Sequence, residues 1–195
     1  MKTLTEIHLE KKLISPPYYC DKEIFPHNYL SQIYDKYLPP YKDKKINLLE
    51  VGVQHGGSLL LWREYFTQSY VYGIDVKDVR AEDTKTLRNV FFILDNAYCV
   101  ETTSRLPCFD IIIDDASHHI NHQKYLVQNY YSLLHDDGIM IIEDIASKDY
   151  LEELANSASE QGYKTIIKHD MAEEMRRWDN IVLVLKKTNN DILTL

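Results

Sequence analysis

The chain is poor in the materials from which several protein classes are built. Only three of its 195 residues are cysteine, namely Cys20, Cys99 and Cys108. They are odd in number, widely spaced and free of any C-x-x-C pair, so neither a disulfide framework nor a structural zinc site is indicated, and reduced, packed thiols are expected. No apolar run approaches the roughly 20 residues that span a bilayer, and residues 1–10 carry charges where a signal peptide needs an apolar segment. A cytoplasmic protein without a membrane partner is therefore expected. Positive charge is scarce as well: 22 Lys+Arg stand against 30 Asp+Glu, a formal net charge of -8. Such a balance argues against nucleic acid as the main partner and favours a small neutral substrate. There is no internal repeat and no low-complexity segment.

What is present suits one domain with a sizeable core, since 45% of the residues are hydrophobic. Residues 1–45 read as a leader rich in Tyr and Pro, with Pro16-Pro17-Tyr18-Tyr19 and Pro39-Pro40-Tyr41 bracketing a helix over 28–38. This leader is too short for a core of its own and should pack on residues 46–195, the catalytic domain. From Ile46 onward short apolar strands alternate with amphipathic helices, the mark of βαβ units and a parallel sheet. The strands fall at 46–51, 70–75, 90–94, 109–114 and 139–143, and the helices near 57–66, 98–104, 120–135 and 148–161. Two last strands, 163–168 and 180–186, lack room for a secure crossover and are expected to close the sheet as an antiparallel pair.

The first strand ends in Glu50-Val51-Gly52-Val53-Gln54-His55-Gly56-Gly57-Ser58. Glycines there let the backbone turn and approach a ligand, and Ser58 can cap the helix whose N-terminal dipole faces the site. The second glycine of G-x-G-x-x-G is missing, at the position where a pyrophosphate touches backbone, which weakens a dinucleotide reading. Asp75 ends strand two, where it can accept hydrogen bonds from both hydroxyls of a ribose. Asp95 or Asn96 follows strand three, within reach of an adenine edge. A nucleoside without a pyrophosphate fits, against the plainer option that the glycines only turn the chain and Asp75 only caps a loop.

Strand four runs Ile111-Ile112-Ile113 into Asp114-Asp115-Ala116-Ser117-His118-His119, and strand five runs Ile141-Ile142 into Glu143-Asp144. Strands buried on both faces look like this where they emerge at their carboxyl ends, the ligand-binding edge of open α/β sheets. As sheet neighbours about 4.8 Å apart, they would bring four acids and two imidazoles together. Such a group repels itself unless a cation sits within it. Hard oxygen donors favour Mg²⁺, Mn²⁺ or Ca²⁺ over zinc and suit chelation of a diol. His118, three residues past Asp115, is placed to take a proton from a hydroxyl held there. Read plainly, Asp115 and Ser117 would cap the next helix and His118 would face solvent. His135 should lie in the last turn of the helix over 120–135, His55 either near the cofactor or on the loop surface, and His119 either against the loop or in solvent. His8, His122 and His169 have no partner visible in sequence and are expected to be exposed. Trp178 sits in the loop before the last strand, where it could border the acceptor, and Trp62 reads as helix packing.

Together, Glu50-x-Gly-x-x-x-Gly-Gly-Ser58, Gly73-Ile-Asp75, the Phe109 to His118 stretch and Glu143-Asp144 resemble the class I S-adenosylmethionine-dependent methyltransferases. Among these the chain is similar to the metal-dependent macrolide and macrocin sugar O-methyltransferases and the related cephalosporin-hydroxylase-like group, from about Cys20 to Lys186. The resemblance implies a Rossmann-like α/β fold, a mostly parallel seven-stranded sheet with an antiparallel last strand and helices on both faces. It implies S-adenosyl-L-methionine and Mg²⁺ (or Mn²⁺) as cofactors and a saccharide or glycosylated metabolite as acceptor, with a homo-oligomer left open. Asp115, Glu143 and Asp144 correspond to magnesium ligands and His118 to the general base. Glu50, Gly52, Gly56, Ser58, Asp75, Asp95 and Asn96 correspond to cofactor positions, and Asp114 to the residue facing its amine. Asp21-Lys22 with His27 and Tyr29 resembles a leader motif that packs near the cofactor. Two departures are Ala116, where glycine is commoner, and the expected lack of an auxiliary N-terminal domain. A metal-dependent hydrolase using the same acids, or a nucleotide-binding protein without catalysis, are the competing readings.

Overall fold

In a computed structural model, which describes residues 2–25 and 27–188, the apolar runs become strands close to where the sequence puts them. The described residues form two compact units, one up to Ala97 and one from Tyr98.

The first unit opens with α1 (Leu4–Glu10), a helix the sequence reading missed although its signature was present. Thr3 and Glu6 form a capping box: Glu6 N donates to Thr3 Oγ1 at 3.1 Å and Thr3 N to Glu6 Oε2 at 2.8 Å. The helix expected over 28–38 is a π-turn at Leu30–Tyr34 running into α2 (Asp35–Tyr37), followed by a 3₁₀ turn at Pro39–Tyr41. Asp35 ties these pieces together, because its carboxylate accepts from Leu4 N at 2.7 Å and Thr5 Oγ1 at 2.8 Å. Then come β1 (Asn47–Val51), α3 (Gly57–Tyr65), β2 (Tyr70–Asp75) and β3 (Val90–Leu94), with β1, β2 and β3 paired in parallel.

The second unit holds α4 (Val100–Thr103), β4 (Phe109–Asp114), α5 (Ile120–Asn129), β5 (Leu134–Ile142), α6 (Lys148–Gln161), β6 (Thr165–Asp170), α7 (Ala172–Met175) and β7 (Ile181–Lys186). Strands β4 and β5 are parallel neighbours with Asp114 opposite Ile142, and β7 lies antiparallel between β5 and β6. The helix expected to reach residue 135 stops at Asn129. A 3₁₀ turn at Tyr131–Leu133 intervenes and β5 begins at Leu134, where Phe109 is its strand partner. Pairing overrides helical periodicity here, so His135 is an exposed strand residue and makes no contribution to a helix terminus. The seven strands follow the order β3-β2-β1-β4-β5-β7-β6. Their central positions, such as Leu48, Leu49, Ile111 to Ile113, Ile139 to Ile142 and Val182 to Leu185, are buried, as expected of strands covered on both faces. Among the described residues no helix is long and apolar enough to cross a membrane.

Candidate active site

The loop after β1 is shaped by two left-handed glycines. Gly52 (φ 89°) sends its amide to Ile74 O at 2.9 Å, and Gly56 (φ 81°) is the N-cap of α3. Gly56 takes the capping place that the sequence reading gave to Ser58. The hydroxyl of Ser58 instead donates to Glu50 Oε2 at 2.6 Å, in the buried interior. Asp75 organises this loop: Oδ2 accepts from Val53 N at 2.9 Å and Gln54 N at 3.0 Å, and Oδ1 from Lys77 N at 3.0 Å. Beside it, Asp95 N donates to Asp75 O at 3.0 Å and Asp95 Oδ1 accepts from Asn96 N at 2.8 Å, with Asn96 exposed. Asp75 and Asp95 thus stand at adjacent strand ends.

The leader is built into this loop. Lys22, 2% exposed, places Nζ 3.5 Å from Oε1 of the fully buried Glu50 and 5.7 Å from the Tyr34 ring centre. Gly57 lies so close to the leader that a Cβ there would sit 2.8 Å from Tyr18 O and 2.9 Å from Cys20 Cβ. We expect Gly57→Ala to cost about 1–3 kcal/mol by overpacking, read as a lower urea midpoint at unchanged slope; an unchanged midpoint would contradict the packing. Cys20 is buried, and burial pushes its thiol well above the ordinary range. His8, expected in solvent, is buried with Nε2 2.8 Å from Cys20 O, because α1 packs it inward. His55 is half-buried against Tyr19, ring centres 4.9 Å apart.

At the carboxyl ends of β4 and β5 the acids converge. Asp114 is 2% exposed; burial, with the neighbouring charge of Asp115, pushes its carboxyl up to about 7. Its Oδ1 lies 3.4 Å from the Tyr98 hydroxyl, while its buried Oδ2 has no hydrogen-bond partner. An orphaned buried acceptor of this kind suits a cationic ligand. One donor atom from each of Asp115, His118 and Asp144 lies within 4.8 Å of the others. The His118 Nε2 to Asp144 Oδ2 separation is 3.6 Å. Both residues sit at positive φ, 53° for His118 and 50° for Asp144, a strained backbone of the kind that collects at functional sites. Glu143 is buried and does not join this trio. Its amide donates to Asp114 O at 3.0 Å and its carbonyl accepts from Gln123 Nε2 at 3.0 Å.

The turn before α5 differs from the plain capping picture. His119 is the N-cap, accepting from Asn121 N at Nδ1 over 3.3 Å, so neither Asp115 nor Ser117 caps the helix. Ser117 Oγ is 2.6 Å from Nδ1 of His122, whose ring stacks on Tyr98 with centres 4.1 Å apart. His122, expected in solvent, is therefore half-buried, as is His169. The one available sign was the five-residue step from Ser117 to His122, too generic to read alone.

Comparison with known proteins finds methyltransferases. The chain is 29% identical over 120 residues to demethylmacrocin O-methyltransferase of Streptomyces fradiae, covering 57% of this chain and 30% of that protein. It is also 29% identical over 140 residues to mycinamicin VI 2''-O-methyltransferase of Micromonospora griseorubida, covering 68% and 35%. The chain is similar in sequence to these O-methyltransferases. It spans about a third of their length. No protein-family model matches. In structure it superposes over its whole length on 57% of the MycE methyltransferase, solved with Mg, SAH and mycinamycin VI, at a TM-score of 0.72 and 20% identity. A fibrillarin from Methanococcus jannaschii follows at TM-score 0.61 and 19% identity, over 74% of this chain and 67% of that one. The fold is the Rossmann-like methyltransferase fold, with its antiparallel last strand.

Proposed function

We propose that this protein is a divalent-metal-dependent O-methyltransferase that uses S-adenosyl-L-methionine to methylate a hydroxyl of a saccharide or glycosylated small molecule. The observation that carries this reading is the convergence of Asp115, His118 and Asp144 on one point at the ends of β4 and β5. Donors bonded to one hard cation at about 2.0–2.6 Å can be no more than about twice that apart, so a 4.8 Å spread fits Ca²⁺ as it stands and Mg²⁺ or Mn²⁺ after a small side-chain adjustment. The unsatisfied oxygen of Asp114 fits the ammonium of the cofactor's methionine part. Glu50, Gly52, Gly56, Ser58, Asp75, Asp95 and Asn96 hold the rest of the cofactor, and residues 1–45 serve as a leader over the glycine loop of a catalytic domain formed by 46–195. The names of two further relatives, 8-demethyl-8-alpha-L-rhamnosyl tetracenomycin-C 2'-O-methyltransferase of Streptomyces olivaceus and L-olivosyl-oleandolide 3-O-methyltransferase of Streptomyces antibioticus, direct the acceptor class toward sugars.

Bound there, S-adenosyl-L-methionine would supply an electrophilic methyl and the cation would acidify the accepting hydroxyl. Asp115 and Asp144 hold the cation, with Glu143 as the further acid of the set. His118 accepts the hydroxyl proton as general base. No disulfide joins Cys20, Cys99 and Cys108, which accords with a cytoplasmic setting.

The test is transfer of a labelled methyl from S-adenosyl-L-methionine to methyl α-L-rhamnopyranoside and related glycosides. Transfer should be abolished by EDTA and restored by Mg²⁺. Methyl transfer indifferent to the chelator would remove the metal from this reading, and no thermal stabilisation by S-adenosylhomocysteine would favour the metal-dependent hydrolase instead. His118→Asn should lower turnover by about 10²–10⁴-fold while Mg²⁺ affinity, titrated by calorimetry, changes little. A collapse of Mg²⁺ affinity would reassign His118 as a ligand.

A further inference from the structure

The loop from β6 to β7 holds its shape through its own bonds. Met171 N donates to Asn180 O at 3.0 Å, Arg177 N to Ala172 O at 3.0 Å and Asn180 N to Arg177 O at 3.1 Å. The Arg177 guanidinium grips Asp179 twice, Nη2 to Oδ2 at 3.0 Å and Nε to Oδ1. Asp179 and Asn180 are buried, yet Trp178 beside them is 68% exposed. Tryptophan is rarely left in water, and here the exposure is imposed by buried residues on its C-terminal side and an ion pair spanning it.

The loop also has a definite address. Because β7 runs antiparallel to β5, it starts at the carboxyl end of β5: Ile145 N donates to Ile181 O at 3.1 Å, one residue past Asp144. Trp178 therefore belongs to the strand end where Asp115, His118 and Asp144 gather. A rigidly mounted indole loses little entropy on binding and offers a flat apolar face. A pyranose ring presents a matching face of C–H groups while its hydroxyls point outward to polar partners.

We propose that Trp178 is the acceptor-stacking residue, taking the C–H face of a pyranoside so that one hydroxyl reaches the acidic cluster. The assignment rests on the saccharide reading above, and the test separates the two. Trp62 is buried against Tyr34, ring centres 5.1 Å apart, so iodide quenching of tryptophan emission reports Trp178. With S-adenosylhomocysteine and Mg²⁺ present, methyl α-L-rhamnopyranoside should protect that emission saturably. With S-adenosyl-L-methionine as donor, Trp178→Ala should raise KM for the glycoside about tenfold with kcat nearly unchanged, and Trp178→Phe should recover most of the loss. Absent protection, or an unchanged KM in Trp178→Ala, overturns the assignment even if methyl transfer proceeds. Saturable protection without methyl transfer would sink the methyltransferase reading while upholding Trp178 as a saccharide contact.

Discussion

Asp115→Ala and Asp144→Ala are each expected to lower methyl transfer about 10³-fold at saturating Mg²⁺, with S-adenosylhomocysteine still binding. The magnitude follows from the several kcal/mol by which a bound cation stabilises developing charge on oxygen. Each variant removes one of two carboxylates whose donor atoms meet within 4.8 Å. Asn at either position keeps the shape and removes the charge, so equal losses in Ala and Asn variants would assign the effect to electrostatics. Glu143 provides an internal comparison, because it stands next to Asp144 yet stays outside the convergent trio. If Glu143→Gln costs as much as Asp144→Asn, binding of the ion draws Glu143 in as a third oxygen ligand; if it costs little, the ion is held by Asp115 and Asp144 with water. Near-normal turnover in Asp115→Ala would remove the metal from the proposal.

Lys22→Met is expected to destabilise the protein by about 3–5 kcal/mol, because it leaves the buried carboxylate of Glu50 without its cation. For a chain of this length that amounts to a fall in Tm on the order of 10 °C. Replacing both partners, Lys22→Met with Glu50→Gln, should return most of the loss, since exchanging a buried ion pair for neutral groups is often close to neutral. In that double variant the Ser58 hydroxyl can still donate to the amide oxygen that replaces the Glu50 carboxylate, so its hydrogen bond need not be lost. Calorimetry or urea denaturation of the two single variants and the double gives the coupling directly. A Lys22→Met protein as stable as the parent would mean that the pair contributes nothing.

Much of this arrangement is legible in the sequence. The run Ile111-Ile112-Ile113 before Asp114 and the run Ile139 to Ile142 before Glu143 are buried strands because nothing polar interrupts them, and each gives way to a carboxylate that is itself buried. Other features depended on partners remote in the chain. The stop of α5 at Asn129 depended on Leu134 finding Phe109, twenty-five positions earlier. The burial of His8 depended on Cys20, and Ser58 turned from a cap to a Glu50 donor once Lys22 and the leader closed over the loop. Only α1 was missed despite a local signature, the capping box of Thr3 and Glu6.

The order of the residues by itself determined the strands, the glycine turn and the delivery of acids to strand ends, because hydrophobic period and backbone freedom are local properties. Tertiary structure alone decided which donor groups converge, selecting Asp115, His118 and Asp144 and leaving Glu143 aside. That choice turns on the positive φ of His118 and Asp144 and on strand register, which only packing against neighbouring strands can hold in place.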